Sequence, residues 1–279
     1  MKLYTINTSY FKLDGGAMFG VVPKSIWNKL NPADENNLCT WAMRLLLIED
    51  EDRLILVDTG IGDKQSEKFF SHYHLHGTDT LVKSLAAHDF SKNDITDVFL
   101  THLHFDHCGG AIERVGEKLL PAFKNATYWS NQKHWQWATE PNAREKASFL
   151  NENILPIQES GQLKMIDEHT PQLTNNISLW IANGHTEAMM LPVINYNGKT
   201  IVYMADLLPS IAHIPLPYVM AYDMFPLTTL QEKESFLKEA LQNNYILYFE
   251  HDPQVECCTL ELTEKGIRAK DTFRLDEIG

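Results

Sequence analysis

The sequence predicts an α/β protein in which two similar β-sheets pack between helices, and three observations carry that prediction. Strand-like and helix-like segments alternate along the 279 residues without a linker, strand content is high in both halves, and each half ends with a helix that feeds a strand. Residues 41–49 are rich in large apolar side chains, and 53–57 follow across the acidic turn Asp50-Glu51-Asp52, which reads as a hairpin. Helical spacing appears over 80–87 through Leu81, Val82, Leu85 and Ala86, and 95–100 is a short buried strand that delivers Thr101. Helices are expected over 131–138 and 143–153, and strands over 177–182, 191–196 and 200–204, the last two joined by an Asn197-Gly198 turn. Residues 227–241 give the clearest helix, with Glu232, Lys233 and Glu234 expected on its exposed face and Phe236, Leu237, Ala240 and Leu241 on its apolar side. A strand over 245–249 and a hairpin of 259–262 with 267–273 about Lys265-Gly266 close the chain. Prolines 209, 215, 217 and 226 mark a long irregular segment, the kind of loop that forms a lid or a pocket wall.

Composition narrows the function. Lys and Arg number 24 against 37 Asp and Glu, a net charge of −13 that argues against nucleic-acid phosphate as a partner. With 44% hydrophobic and 22% charged residues, the chain has the composition of a globular protein, and disorder or collagen-like structure is excluded. No run approaches the roughly 18 apolar residues of a membrane helix, and Met1 to Ser9 lack the apolar core of a signal peptide. The expectation is a cytoplasmic protein without a membrane partner. Four cysteines, two of them adjacent at 257 and 258, make no disulfide framework and are expected as reduced thiols.

The chemistry concentrates in Thr101-His102-Leu103-His104-Phe105-Asp106-His107-Cys108-Gly109-Gly110. The strand ends at Leu100, so three imidazoles and a carboxylate within six positions can turn into one cavity from a loop. Crowded imidazoles oppose one another's charged forms, and a divalent cation satisfies them together. Nitrogen and carboxylate donors without sulfur suit Zn²⁺, Mn²⁺, Fe²⁺ or Co²⁺. His185, Asp206 and His251 each follow an apolar strand-like run, from which a loop can aim a side chain at a shared cavity.

In this motif the chain resembles the metallo-β-lactamase-fold hydrolases, and the resemblance extends over most of its length. Leu56-Val57-Asp58-Thr59-Gly60 looks like the family's strand-end turn, Gly184-His185-Thr186 like its third metal loop, Ala205-Asp206 like its bridging carboxylate, and Glu250-His251-Asp252 like its last histidine. The resemblance implies an αββα sandwich of two mixed sheets flanked by helices, spanning 1–279 as one domain. It implies that His102, His104 and His185 hold one metal, that Asp106, His107 and His251 hold a second, that Asp206 bridges them, and that Asp58 orients the loop without being a ligand. Two divalent ions, first of all Zn²⁺, are the implied cofactors, and a hydroxide shared between them the implied nucleophile. Asp106 and Asp206 are the expected catalytic carboxylates, Asp106 handling a proton. Cys108 is read as packing under the loop, and the second glycine as admitting the close approach of a helix N-terminus.

Absences sort the branches. True metallo-β-lactamases have a cysteine where Asp206 stands, and glyoxalase II-like members carry a helical domain in place of the 28 residues after His251. RNA-processing members carry a basic arm. What remains resembles the N-acyl-homoserine lactone lactonases and related organophosphate hydrolases, implying a small lactone or ester as substrate, with phosphotriesters or arylesters as the alternative. A redox di-iron protein or a non-catalytic metal-binding scaffold is less consistent, because no flavin domain is present and all seven expected ligands are. An N-terminal extension of about residues 1–40, like that of larger members, implies a homodimer. Two departures stand out: the third metal loop reads His185-Thr186-Glu187-Ala188 in place of His-Thr-Pro-Gly, and Pro209 stands where short lactonases have a carbonyl-binding Tyr. Tyr222 or His213 is the expected substitute, and Met189 an expected pocket residue. His72, His74 and His76 form a second cluster, read as an exposed loop.

Overall fold

The computed structural model describes residues 1–167 and 169–279. The chain enters through β1 (Lys2–Asp14), two short helices α1 (Gly15–Phe19) and α2 (Lys24–Trp27), and the long β2 (Leu38–Asp50), which turns back as β3 (Arg53–Val57). Helices α3 (Glu67–Ser71) and α4 (Leu81–Ala86) precede β4 (Asp97–Phe99), the one-turn α5 (Phe105–Cys108) and a side hairpin of β5 (Ile112–Val115) and β6 (Lys118–Pro121). Then come β7 (Thr127–Asn131), α6 (Gln132–Thr139), α7 (Asn151–Glu159) and β8 (Leu163–Ile166). The first sheet has the order β1-β2-β3-β4-β7-β8. Its first two pairings are antiparallel and its last three parallel, so it is mixed.

The second half supplies β9 (Gln172–Thr174), β10 (Ile177–Ala182), β11 (Met189–Tyr196), β12 (Lys199–Tyr203), helix α8 (Pro226–Gln242), β13 (Ile246–Tyr248), β14 (Cys257–Thr263) and β15 (Gly266–Phe273). They form a seven-stranded sheet in the reverse of chain order, in which β12 and β13 alone run parallel. Two mixed sheets between helices are the architecture expected from the alternation of elements.

Period-two alternation explains the layering. On β2 and β3, Leu46, Ile48, Ile55 and Val57 face the second sheet, whereas Leu45, Leu47, Leu54 and Leu56 face Leu85, Trp135 and Ile154 from the helical side. Both faces are buried, so these strands read as continuous apolar runs. The N-terminal residues belong to the first sheet: β1 pairs with β2 from Lys2 to Asp14, interrupted by one irregularity near Ser9. Asn197 and Gly198 both have positive φ, the geometry of a tight hairpin turn between β11 and β12.

Two expectations fail on tertiary grounds. Helix α7 starts at Asn151, not near 143, because residues 142–148 form turns that serve the cavity: Asn142 Oδ1 accepts from the amides of Arg144 and Glu145, and Ser148 O accepts from Phe105 N. Lys233 is fully buried, not exposed. Its Nζ donates to the carbonyls of Pro215 (3.3 Å), Leu216 (3.3 Å) and Tyr218 (2.6 Å), pinning the irregular segment to α8. No helix among the described residues is long and apolar enough to cross a membrane, and all four cysteines are free and buried.

Candidate metal centre

Five loops at the C-terminal ends of β3, β4, β10, β12 and β13 meet at one rim of the two sheets. Asp58 N donates to Phe99 O and Met204 N to Tyr248 O, tying two of these loops to neighbouring strands, and Met190 N donates to Thr101 O across the sheets, joining the first motif to the third. Asp58 and Ala205 take positive φ of 58° and 40°, left-handed conformations that non-glycine residues adopt at a cost and that cluster at functional sites. The turn after β3 has Asp58 accepting from Thr101 N (2.8 Å) and Thr101 Oγ1 (2.7 Å). The glycines of the motif are fixed by crowding. A Cβ at Gly109 would lie 2.1 Å from Ile61 O, and one at Gly110 2.2 Å from Thr59 O. The close neighbour is therefore the strand-end turn 59–61, not a helix N-terminus. Cys108 is packed beneath the loop as expected, with its Sγ 3.2 Å from Leu103 O.

The structure brings all seven expected ligands together. Donor atoms of His102, His104, His185 and Asp206 lie within 4.8 Å of one another, as do those of Asp106, His107 and His251. Asp206 links the groups: its Oδ2 is 3.1 Å from His185 Nε2, and its Oδ1 is 3.2 Å from His251 Nε2. All seven are buried.

Each imidazole is anchored by its second nitrogen, which fixes which nitrogen faces inward. His104 Nε2 pairs with Glu145 Oε1 (2.9 Å), His185 Nδ1 with Asp223 Oδ1 (2.9 Å), and His251 Nδ1 with Ala42 O (2.8 Å). His102 Nδ1 meets Thr101 Oγ1 at 3.1 Å, and His107 Nδ1 lies between Asp58 Oδ2 (3.2 Å) and Glu250 Oε2 (3.0 Å). With those nitrogens donating, the inward ones carry lone pairs, yet His104 Nδ1 is 3.0 Å from His102 Nε2 and 3.1 Å from His185 Nε2. Lone pairs converging at that distance repel unless protons or a metal ion lie among them. The spacing is close to the roughly 3.3 Å edge of a tetrahedron with 2.0–2.1 Å bonds. Asp206 Oδ1 is buried with no aligned hydrogen-bond donor among the described residues. The donor set fits two divalent ions.

Electrostatics agree. Burial opposes charge on His185, but Asp206 and Asp223 raise it to about 10, and Asp206 and Glu250 raise His251 to about 9. Asp206, which burial alone would push up, is held well below the carboxylate range by His185, His107 and His251. The anionic bridge draws in positive charge, which protons supply in the bare polypeptide and metal supplies in competition with them.

Glu145, Asp223 and His134 escape sequence reasoning. His134, buried on α6, accepts from Leu103 N (2.8 Å) and donates through Nδ1 to Glu187 O (2.6 Å), tying the first and third loops. Burial lowers its pKa to about 4, in keeping with a neutral ring. Glu187 thereby contributes its carbonyl. Of the expected pocket residues, Tyr222 lines a cavity of about 270 Å³ over the cluster, with Leu13, Met18, Phe105, Met220 and Met224 as apolar walls. His213 does not reach that cavity: it stacks on Phe19, and its two ring nitrogens are engaged by Ser210 Oγ and Met18 O. Met189, on β11, is fully buried in the large apolar core about the second sheet and does not line the cavity. His72, His74 and His76 are all exposed, as expected, with His76 bonded to Thr40 and stacked on Tyr10, and the three form no ligand group among the described residues.

Similarity to known proteins runs the same way. A solved probable metal-dependent hydrolase from Staphylococcus aureus superposes over 100% of this chain and 98% of its own, with a TM-score of 0.89 and 28% identity. AidC, a dizinc quorum-quenching lactonase in complex with a product, N-hexanoyl-L-homoserine, shares the fold with a TM-score of 0.78 at 23% identity, covering 98% and 95% of the two chains. An N-acyl homoserine lactonase of Bacillus cereus is 30% identical over 162 residues, 54% of this chain and 57% of the lactonase, so the match spans little more than half of that relative. The family model of the metallo-beta-lactamase superfamily matches residues 45–251, from β2 through the last histidine of the cluster, and the chain belongs to that superfamily.

Proposed function

We propose that this protein is a dinuclear metal-dependent hydrolase that opens the lactone ring of N-acyl-homoserine lactones. The observation that carries the reading is the pair of donor sets joined by Asp206 at the base of an apolar-walled pocket. His102, His104 and His185 would hold one ion, Asp106, His107 and His251 the other, with Asp206 shared; zinc is the ion proposed. Two such ions bound there would lower the pKa of a water between them and polarise the carbonyl of an ester.

The chain's own residues do the rest. Asp106 takes the proton released as water adds and returns it to the leaving alkoxide; in support, it lines the pocket with Oδ2 3.8 Å from both His107 Nε2 and His251 Nε2. The Tyr222 hydroxyl, at the partly exposed mouth, donates to the ring carbonyl in place of the tyrosine that Pro209 replaces. The methionine walls shape themselves to an acyl chain. Val21, Ile26 and Leu30, exposed between β1 and β2, are the proposed contact of a homodimer.

Metal-stripped protein should open no lactone ring and should recover on titration with two equivalents of Zn²⁺. D206A should bind at least one equivalent less and lose nearly all activity. Full metal content and activity in D206A would refute the assignment.

A further inference from the structure

The pocket contains one Lys or Arg among its described lining residues, Arg144, in a chain of net charge −13. It is exposed, on the turn between α6 and α7, and adjoins Glu145, whose carboxylate turns inward to His104. Arg144 Nη2 reaches across the mouth to the carbonyls of Ala221 and Asp223, the latter at 3.5 Å. Among the described residues no acceptor engages Nε or Nη1, so part of a planar donor fork is left at the rim of the cavity. The order of surfaces is then fixed: acidic and imidazole groups at the base, a guanidinium at the rim one residue from the base, and the side chains of Leu13, Met18, Met220 and Met224 around it. A ligand that matches this order has its reacting carbonyl at the base, an acceptor oxygen on the adjoining substituent, and an apolar tail.

Resting on the lactonase reading, we propose that Arg144 is a specificity determinant. Its free donors bind the amide carbonyl of the ring substituent, so the enzyme prefers lactones bearing an acylamino group over plain alkyl lactones of equal length. A neutral carbonyl held by a cationic donor accounts for placing an arginine at the rim of a pocket whose walls are largely apolar.

The test compares N-hexanoyl-homoserine lactone with a γ-alkyl lactone of matched length on metal-loaded wild type, R144M and R144K. In R144M the KM for the acylamino lactone should rise about tenfold more than that for the plain lactone, with R144K recovering part of the difference. Calorimetric binding of the non-hydrolysable acylamino lactam should weaken by a similar factor, without reference to turnover. If R144M fails to fold, R144K decides by the same ratio. Equal changes with both lactones would mean that Arg144 only ties the pocket wall, and would overturn the inference alone, as would no change. Turnover of neither lactone by the wild type would overturn the lactonase reading and this inference with it.

Discussion

At the scale of single residues, the centre is organised by what stands behind each imidazole. His102, His104, Asp106 and His107 are legible because they crowd six positions after a strand. Glu145 and Asp223 are not, because they come from irregular loops 41 and 38 residues away from the histidines they orient, and only the fold makes them neighbours. Their importance is measurable. Replacing Glu145 by Ala leaves His104 Nε2 without its acceptor and should lower metal affinity roughly 10–100-fold in a chelator competition. Unchanged affinity would show that the ring is held by packing against Phe149 instead. His134 has no motif around it, yet it bridges two metal loops. A lone buried histidine carries no sequence signal for such a role.

Elements explain which parts of the pocket were legible. Strand ends predict where His185, Asp206 and His251 emerge, since each follows an apolar run buried in the second sheet. The wall is harder to read, because the 209–226 segment has no periodicity and its shape comes from elsewhere. Lys233 supplies much of that shape, and its place between two acids on a clear helix suggests a solvated face. Burial lowers its ammonium to about 7, with Asp223 opposing that fall. K233M keeps the length of the side chain and removes the donor from three carbonyls, at a cost of about 1–3 kcal/mol in unfolding free energy. The variant should also raise KM more than it lowers kcat, because it loosens a wall and leaves the ligands in place. Wild-type stability and KM in K233M would contradict the clamp.

For the whole molecule, the two-sheet architecture follows from strands placed in both halves, and the alternation on β2 and β3 decides which side chains join the sheets and which meet the helices. Long-range polar contacts close that assembly. Arg53 on β3 donates to both oxygens of Asp97 on β4, at 2.6 and 3.0 Å, and Trp129 Nε1 on β7 donates at 2.7 Å, stitching three parallel strands. Burial raises Asp97, but Arg53, Thr96 and Trp129 outweigh it and hold the carboxyl below its usual 3.8. A carboxyl depressed in the folded state contributes stability that is present above the unfolded value and lost as pH falls through the folded one. The urea midpoint should therefore fall on acidification below about pH 4, and less steeply in R53M. Equal slopes in the two proteins would show that the Arg53–Asp97 pair does not carry the acid sensitivity.

Relative rates of catalysis distinguish a lactone from the other candidate substrates. With the protein reconstituted with zinc, proton release from N-acyl-homoserine lactones should be followed in parallel with hydrolysis of a phosphotriester and an arylester. Ring opening faster than both other reactions, by kcat/KM, is the predicted result; lactones turned over no faster than the other two would contradict it.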